Sequence, residues 1–452
     1  MTQTIQRKLN DSAFIRWSAL ILIALMMFFA YMFVDMLSPL KELLDQQLNW
    51  NSSTFGTYAA SEYFLNVFCF FLIFAGIILD KMGIRFTGLL SASLMVIGAC
   101  IKFYAMSEWF AGTGLEAWLN SWWVSLPGSA KLSCLGFMIF GCGCEMAGTT
   151  VSKAIAKWFK GKEMAMAMGL EMSIARLGVF AAMWLSPMVS DSFGKSVSAP
   201  VAFGAVLLMI GLIFYFVFVL MDRKFDKQLE AAGELTKEAN DEEFKLSDLG
   251  KIFTSKMFWL VALLCVLYYS AIFPFQRYAP DFLDKTLDIT NGAQLFSCFP
   301  ILAMVLTPFL GAFIDRKGKA ASMLMVGSLI MIACHLSFAF LLPVFPSKVL
   351  AVAIIAILGV SFSLVPAALW PSVPKIIDER ILGSAYCVIF WIQNWGLLLV
   401  PVVIGKVLDA TGGYTLPMVI FSSFGVFALI FGLWLKREDK KKGYGLELPN
   451  IK

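Results

Sequence analysis

GIILDKMGIR (Gly76–Arg85) and GAFIDRKGK (Gly311–Lys319) repeat one pattern in the two halves of a 452-residue chain. Asp80 aligns with Asp315, Gly83 with Gly318, and basic residues follow each aspartate. A glycine in the last turn of a helix lets its neighbours approach closely. A carboxylate beside it can pair with basic groups or with a helix N-terminus on the same face. Asp80, Arg85, Asp315 and Arg316 are therefore candidate gating residues, forming latches that can open. One copy alone would be an ordinary basic turn after a membrane helix. Two copies at matching positions imply a duplicated architecture.

Outward from these turns, each copy lies between apolar runs of membrane-crossing length: Thr54–Leu79 and Phe86–Met106 for the first, Ala293–Ile314 and Ala321–Leu342 for the second. With 59% hydrophobic and 15% charged residues, and a mean hydropathy of +0.78, the chain is too apolar for a soluble globule. A hydrocarbon core about 30 Å thick needs about 20 apolar residues per helical crossing. Twelve such runs extend from Ile15–Met36 to Leu416–Leu435. The expected fold is an all-α membrane protein of twelve helices in two six-helix halves, with residues 1–221 and 257–435 as the bundles. Residues 222–256 form a polar connection and residues 436–452 a tail.

The net charge of +5 reflects segregation of basic residues by membrane side, so it is no signal for nucleic acid. The far-side connections hold only Lys41, Lys131, Lys195, Lys285 and Lys348, a bias that places both termini in the cytoplasm. No cleavable signal peptide is legible in residues 1–17. All nine cysteines fall in apolar runs without a CxxC pair, so neither a disulfide nor a zinc site is expected, and no cofactor is implied. There is no HExxH and no GxSxG, and one histidine serves the whole chain, which argues against an enzyme.

Ionisable groups inside spans cost about 2.5–3.5 kcal/mol each on insertion scales, so each needs a reason. Glu145 and Arg176 flank the short turn WFKGK on consecutive helices. At about 1.5 Å per residue, both lie about 18–20 Å from the cytoplasmic face. Opposite charges at equal depth suit the amine and carboxylate of a zwitterion, with the arginine fork on the carboxylate. The alternative is a permanent salt bridge joining spans 4 and 5. Asp35 and Arg277, near the far ends of their spans, are gate candidates. Glu62 and Glu171 are candidates for proton coupling, and Lys102 is expected to snorkel. His335 is read as a packing residue rather than a proton relay. Aromatic and amide residues that could complete a cavity are Tyr268, Tyr269 and Phe273 on span 7, Trp370 on span 10, and Gln393 and Asn394 on span 11. The buried amides in particular require partners.

The doubled turn resembles the signature of the major facilitator superfamily, whose two six-helix halves rock about a central site. More specifically, WFKGKE at Trp158–Glu163, Ala175-Arg176, YYSAIFPF at Tyr268–Phe275, LWP at Leu369–Pro371, LGSAY at Leu382–Tyr386 and IQNWGL at Ile392–Leu397 are similar to the branch of lysosomal dipeptide transporters and their bacterial relatives. The resemblance implies uniport-like movement of dipeptides by alternating access, with Glu145 and Arg176 engaging the peptide's charged ends. Cys142 and Cys144 depart from a stretch that is more purely glycine and small residues in that branch. Glu171 stands where an amide is typical. The N-terminus carries no acidic di-leucine signal, which favours a bacterial inner membrane over a lysosomal one. A proton-coupled symporter lacking the ExxER motif, an organic-anion exchanger using Arg176 and Arg277, and a non-transporting sensor are the alternatives. The sequence names no accessory subunit.

Overall fold

Gly83 and Gly318 show why the duplicated turns need glycine. Their φ angles are +73° and +72°, in the region that only glycine enters without cost. At Gly83 (ψ 171°) the chain leaves span 2 and enters span 3, and at Gly318 it passes from span 8 into span 9. The structure, a computed structural model, describes residues 8–160, 162–231, 249–377 and 381–449. No strand occurs among the described residues.

Eleven helical segments are long and apolar enough to cross a membrane. The twelfth crossing, span 2, is assembled from Ser52–Ser61, Phe64–Phe68 and the first turns of Phe71–Met106, with span 3 following after Gly83. The uninterrupted Thr54–Leu79 expected from hydropathy is thus corrected: the helix breaks at Glu62–Tyr63 and again at Cys69–Phe70, where Phe70 takes φ +52°. Neither proline nor glycine sits at these breaks. Tertiary contacts hold them, as the Trp391 indole donates to the Val67 carbonyl at 3.0 Å.

The remaining spans are Ala13–Asp35 (1), Gly128–Trp158 (4), Met164–Ser192 (5), Ser198–Ala231 (6), Lys256–Leu287 (7), Cys298–Lys317 (8), Ala320–Leu336 (9), Lys348–Leu369 (10), Leu382–Thr411 (11) and Thr415–Lys442 (12). Span 6 continues as helix to Ala231, past the boundary read at 221. The stretch 232–248 of the expected connection lies outside the described residues.

On the face that carries the termini, the doubled turn is anchored by charge. Lys153 of span 4 binds Asp80 at 2.8 Å, and Arg85 pairs with Asp226 at 3.1 Å. Asp222 is fully buried and accepts from both Lys157 and the Trp158 indole. In the second half, Lys375 lies within electrostatic reach of Asp315. There the tail folds back as a strap: Lys319 and Ala320 donate to the carbonyls of Glu447 and Leu446, and the Glu447 carboxylate accepts from the Ser322 amide at 2.8 Å. Lys375 also donates to the carbonyls of Gly445 and Leu448.

The opposite, far face is where the two halves are bonded to each other. Lys41 bridges Asp281 at 3.0 Å, Gln276 donates to Asp35 at 2.7 Å, Arg277 pairs with Glu62, and the Ser52 and Ser53 amides donate to Asp409. Backbones approach closely here. A Cβ on Gly56 would lie 2.3 Å from the Pro401 carbonyl oxygen, and one on Gly405 would lie 2.2 Å from that of Ser52. Gly56→Val should therefore wedge the far side open, seen as faster hydrogen exchange in residues 52–62. Unchanged exchange would mean that this approach does not seal the face.

Candidate functional site

Midway through the membrane the chain places its charges where helix geometry put them. Arg176 lies 12 residues into span 5 and Glu145 lies 13 residues before the end of span 4, about 18–20 Å from the termini side. Both are half-buried. They form no ion pair with each other among the described residues. Instead, Arg176 reaches across to span 8, donating to the Ala303 carbonyl and the Thr307 hydroxyl at 3.0 Å each, with its guanidinium 5.6 Å from the Phe362 ring. Glu145 lies beside Asn394 of span 11, whose amide nitrogen is buried and closes no hydrogen bond of good geometry.

Tyr31 of span 1 joins these groups. It is 36% exposed, yet Glu145, Glu171 and Arg176 all act on it electrostatically. Exposure inside a ring of protein charges describes a wall of an internal chamber. Tyr269 forms the facing wall, close enough to interact with Arg176; it accepts from the Trp370 indole at 3.2 Å and stacks on Phe273 with centroids 5.3 Å apart. Phe362 meets both rings edge-on. The chamber thus offers a cation fork, a carboxylate and an aromatic wall, the mix that orients a small polar guest.

Two of the residues expected here, Tyr268 and Gln393, are bonded elsewhere. Tyr268 turns away and binds Ser328 and the Leu324 carbonyl of span 9, inside the second bundle. Gln393 accepts from Cys265 of span 7 at 3.3 Å. Asp35, Glu62 and Arg277 form the far-side bonds, and Asp80, Arg85, Asp315 and Arg316 lie at the opposite end. Lys102 does not snorkel: it is 0% exposed, enclosed by three aromatic rings of spans 1, 2 and 4. His335 is packed against Phe275, Phe338 and Phe421, with Nδ1 2.9 Å from the Met331 carbonyl. A separate groove of about 580 Å³, lined by Arg85, Phe86, Arg223 and Lys227 among others, opens at the termini end and not at the chamber.

Sequence reasoning missed Tyr31, Thr307, Phe362 and Asn66. Asn66 is wholly buried in the short helix between the breaks of span 2, with both amide atoms unpartnered. A lone polar residue in an apolar run was the available signal for Tyr31 and Asn66. Because Tyr268 serves the bundle interior, Tyr268→Phe should cost about 1 kcal/mol of stability and leave transport within about twofold. A thermal melt alongside an uptake assay checks both, and a large loss of uptake at normal stability would put the hydroxyl back in the chamber.

Comparison with known proteins agrees with this architecture. The chain is 29% identical over 438 residues to a lysosomal dipeptide transporter of Danio rerio, covering 95% of this chain and 88% of that one. It is 26% identical over 409 residues to the Homo sapiens protein of the same name, covering 88% and 81%. Among solved structures, a nucleoside transporter superposes with a TM-score of 0.71 at 17% identity, covering 92% of this chain and 99% of that one. A D-xylose–proton symporter gives 0.67 at 16%, covering 92% and 97%. These last two likenesses show the fold alone. Residues 23–401 match the Major Facilitator Superfamily model, and with its doubled turn and two six-helix halves the chain belongs to that family of transporters.

Proposed function

We propose that this transporter moves dipeptides, or similar small zwitterionic peptides, by alternating access as a facilitator. Arg176 holds the peptide carboxylate and Glu145 the amino group. The observation that carries this reading is that the two opposite charges make no ion pair with each other: Arg176 rests on a carbonyl and a hydroxyl, while Glu145 lies beside Asn394 and within electrostatic reach of Glu62. A guest's termini can displace a carbonyl, a hydroxyl or an amide far more cheaply than they could split a buried ion pair. Tyr269, Phe273, Trp370 and Phe362 then receive the side chains. The printed function of the lysosomal relatives supports the same substrate class.

In this reading the far-side bonds are the closed gate of an inward-facing state, with Asp35, Glu62 and Arg277 as gate residues. Asp80, Arg85, Asp315 and Arg316 serve the cytoplasmic gate. The basic termini face lies in the cytoplasm, in a bacterial inner membrane, with the lysosomal membrane of the relatives as the alternative.

The test is uptake of a mixed dipeptide pool into proteoliposomes with and without a pH gradient. Downhill flux indifferent to the gradient is expected. Concentrative uptake that needs an inward proton gradient would move the assignment to a symporter, with Glu171, buried beside Tyr31, as the residue to examine. Flux of monocarboxylates or sugar phosphates without peptides would identify an anion exchanger.

A further inference from the structure

Four of the chain's 13 tryptophans, Trp109, Trp118, Trp122 and Trp123, fall within residues 107–127, the connection between spans 3 and 4 on the far face. All four are exposed: Trp118 and Trp123 are 60% accessible, Trp109 is more so, and Val124 beside them reaches 82%. So much apolar surface gathered in one place marks a contact with something other than water.

The connection is a built platform. Phe110, Leu119 and Leu126 are buried and root it in the protein. Thr113 caps the short helix Gly114–Asn120 by accepting from the Glu116 amide at 3.2 Å, and the Glu116 carboxylate accepts from the Gly112 amide at 2.6 Å. The Asn120 side chain accepts from the amide of Gly128, the first residue of span 4, at 2.7 Å. Lys131, buried one turn further along, donates to the carbonyls of Leu119 and Trp122, and its ammonium lies 4.5 Å from the Trp122 ring. Trp118 and Trp122 meet edge to face at 5.9 Å, so their rings share one side of the platform. Trp123 takes φ +46°, a conformation that costs a residue with a side chain and persists where the surroundings hold it.

Position and chemistry point to lipid as the partner. Trp109 folds back on span 3, with its ring edge-on to Phe103 at 5.8 Å. Closer to mid-membrane, spans 3 and 4 expose Ile97, Tyr104 and Leu135, and such surface on a spanning helix faces hydrocarbon. The platform thus continues the lipid-facing side of these two helices into the headgroup layer, where an indole can bury its rings and keep its N–H solvated. The only charged residues in 107–127 are Glu108 and Glu116, and Lys131 beside them spends its donors on carbonyls. Attraction to acidic headgroups is therefore absent, which leaves aromatic burial to hold the platform. The second half has no equivalent, because spans 9 and 10 are joined by Phe345, Pro346 and Ser347.

We propose that residues 107–127 form an interfacial anchor in the far leaflet of the bilayer, with Trp118, Trp122, Trp123 and Val124 set among the headgroups and upper acyl chains, and that zwitterionic lipid is enough to hold it. The anchor belongs to the first bundle and holds whatever the chain transports.

The test is fluorine NMR of the full chain, labelled with 5-fluorotryptophan, in phosphatidylcholine nanodiscs. Substituting one tryptophan at a time by phenylalanine assigns the four resonances, and the measurement itself is made on the wild-type protein. Relaxation is compared between a lipid carrying a nitroxide high on its acyl chain and a gadolinium chelate confined to water. Trp118, Trp122 and Trp123 should respond to the lipid nitroxide at least about threefold more strongly than to the chelate. Replacing about a third of the lipid by phosphatidylglycerol, or raising the salt to about 0.5 M, should leave that ratio unchanged. A stronger response to the chelate would place the platform in water and overturn the proposal. Protection from both agents would mean that protein covers the tryptophans, which also overturns it. A ratio that grows with the anionic fraction and falls with salt would overturn the claim that zwitterionic lipid is enough.

Discussion

Arg176→Ala should lower dipeptide uptake by about 100-fold or more while the protein remains folded. The guanidinium lies at mid-membrane, and its bonds are to the Ala303 carbonyl and the Thr307 hydroxyl, so truncation removes no ion pair from the protein itself. The loss therefore falls on the guest, whose carboxylate is left buried without a partner. Truncating one side of a buried charge pair costs about 2–5 kcal/mol, and each 1.4 kcal/mol is a factor of ten. Arg176→Lys keeps the charge but loses the fork, and should recover only part of the activity. Uptake with a melting curve for each variant separates binding from folding. Normal dipeptide flux in well-folded Arg176→Ala would remove the arginine from the site.

Arg277→Gln should open the far gate. In the native protein Arg277 pairs with Glu62 across the two halves, both of them buried, while Gln276 next to it holds Asp35. Removing the guanidinium strands a buried carboxylate, a loss of about 3–5 kcal/mol. The closed-to-open ratio should drop by about 100-fold or more, visible as loss of exchange protection in residues 52–62. Glu62→Gln combined with Arg277→Gln removes both charges of the pair and should restore much of the protection. A double variant as open as the single one would show that the pair contributes geometry rather than charge.

The architecture was readable because its signals are local. Hydropathy runs set eleven of the helices, and the aspartate–glycine spacing of the two turns corresponds to a positive φ at Gly83 and Gly318. Equal depth of Glu145 and Arg176 follows from rise per residue alone, which is why both could be placed at one level from the sequence. What stayed hidden depends on partners far away in the chain. The breaks in span 2 contain no helix-breaking residue and are held by contacts such as that from Trp391. The cage around Lys102 is built from three other spans, and without it a lysine in an apolar helix reads as one that reaches for water. Tyr268 and Tyr269 are neighbours in sequence but about 100° apart on the helix, and only the packing of span 9 decides which one turns inward.

The strap at residues 445–448 couples elements that the lipid would otherwise leave independent. Glu447 joins Ser322 at the start of span 9 to Lys436 in span 12, Leu446 is tied to Asp439 of span 12, and Lys375 after span 10 is held by the same few carbonyls. Three helices of the second bundle are thus riveted together at one end, and under the proposed alternating access they should move as a single lever. Outside that clamp, spans 7, 8 and 11 carry internal prolines, and within it span 10 carries Pro366, so these are the positions where a helix of this bundle can bend.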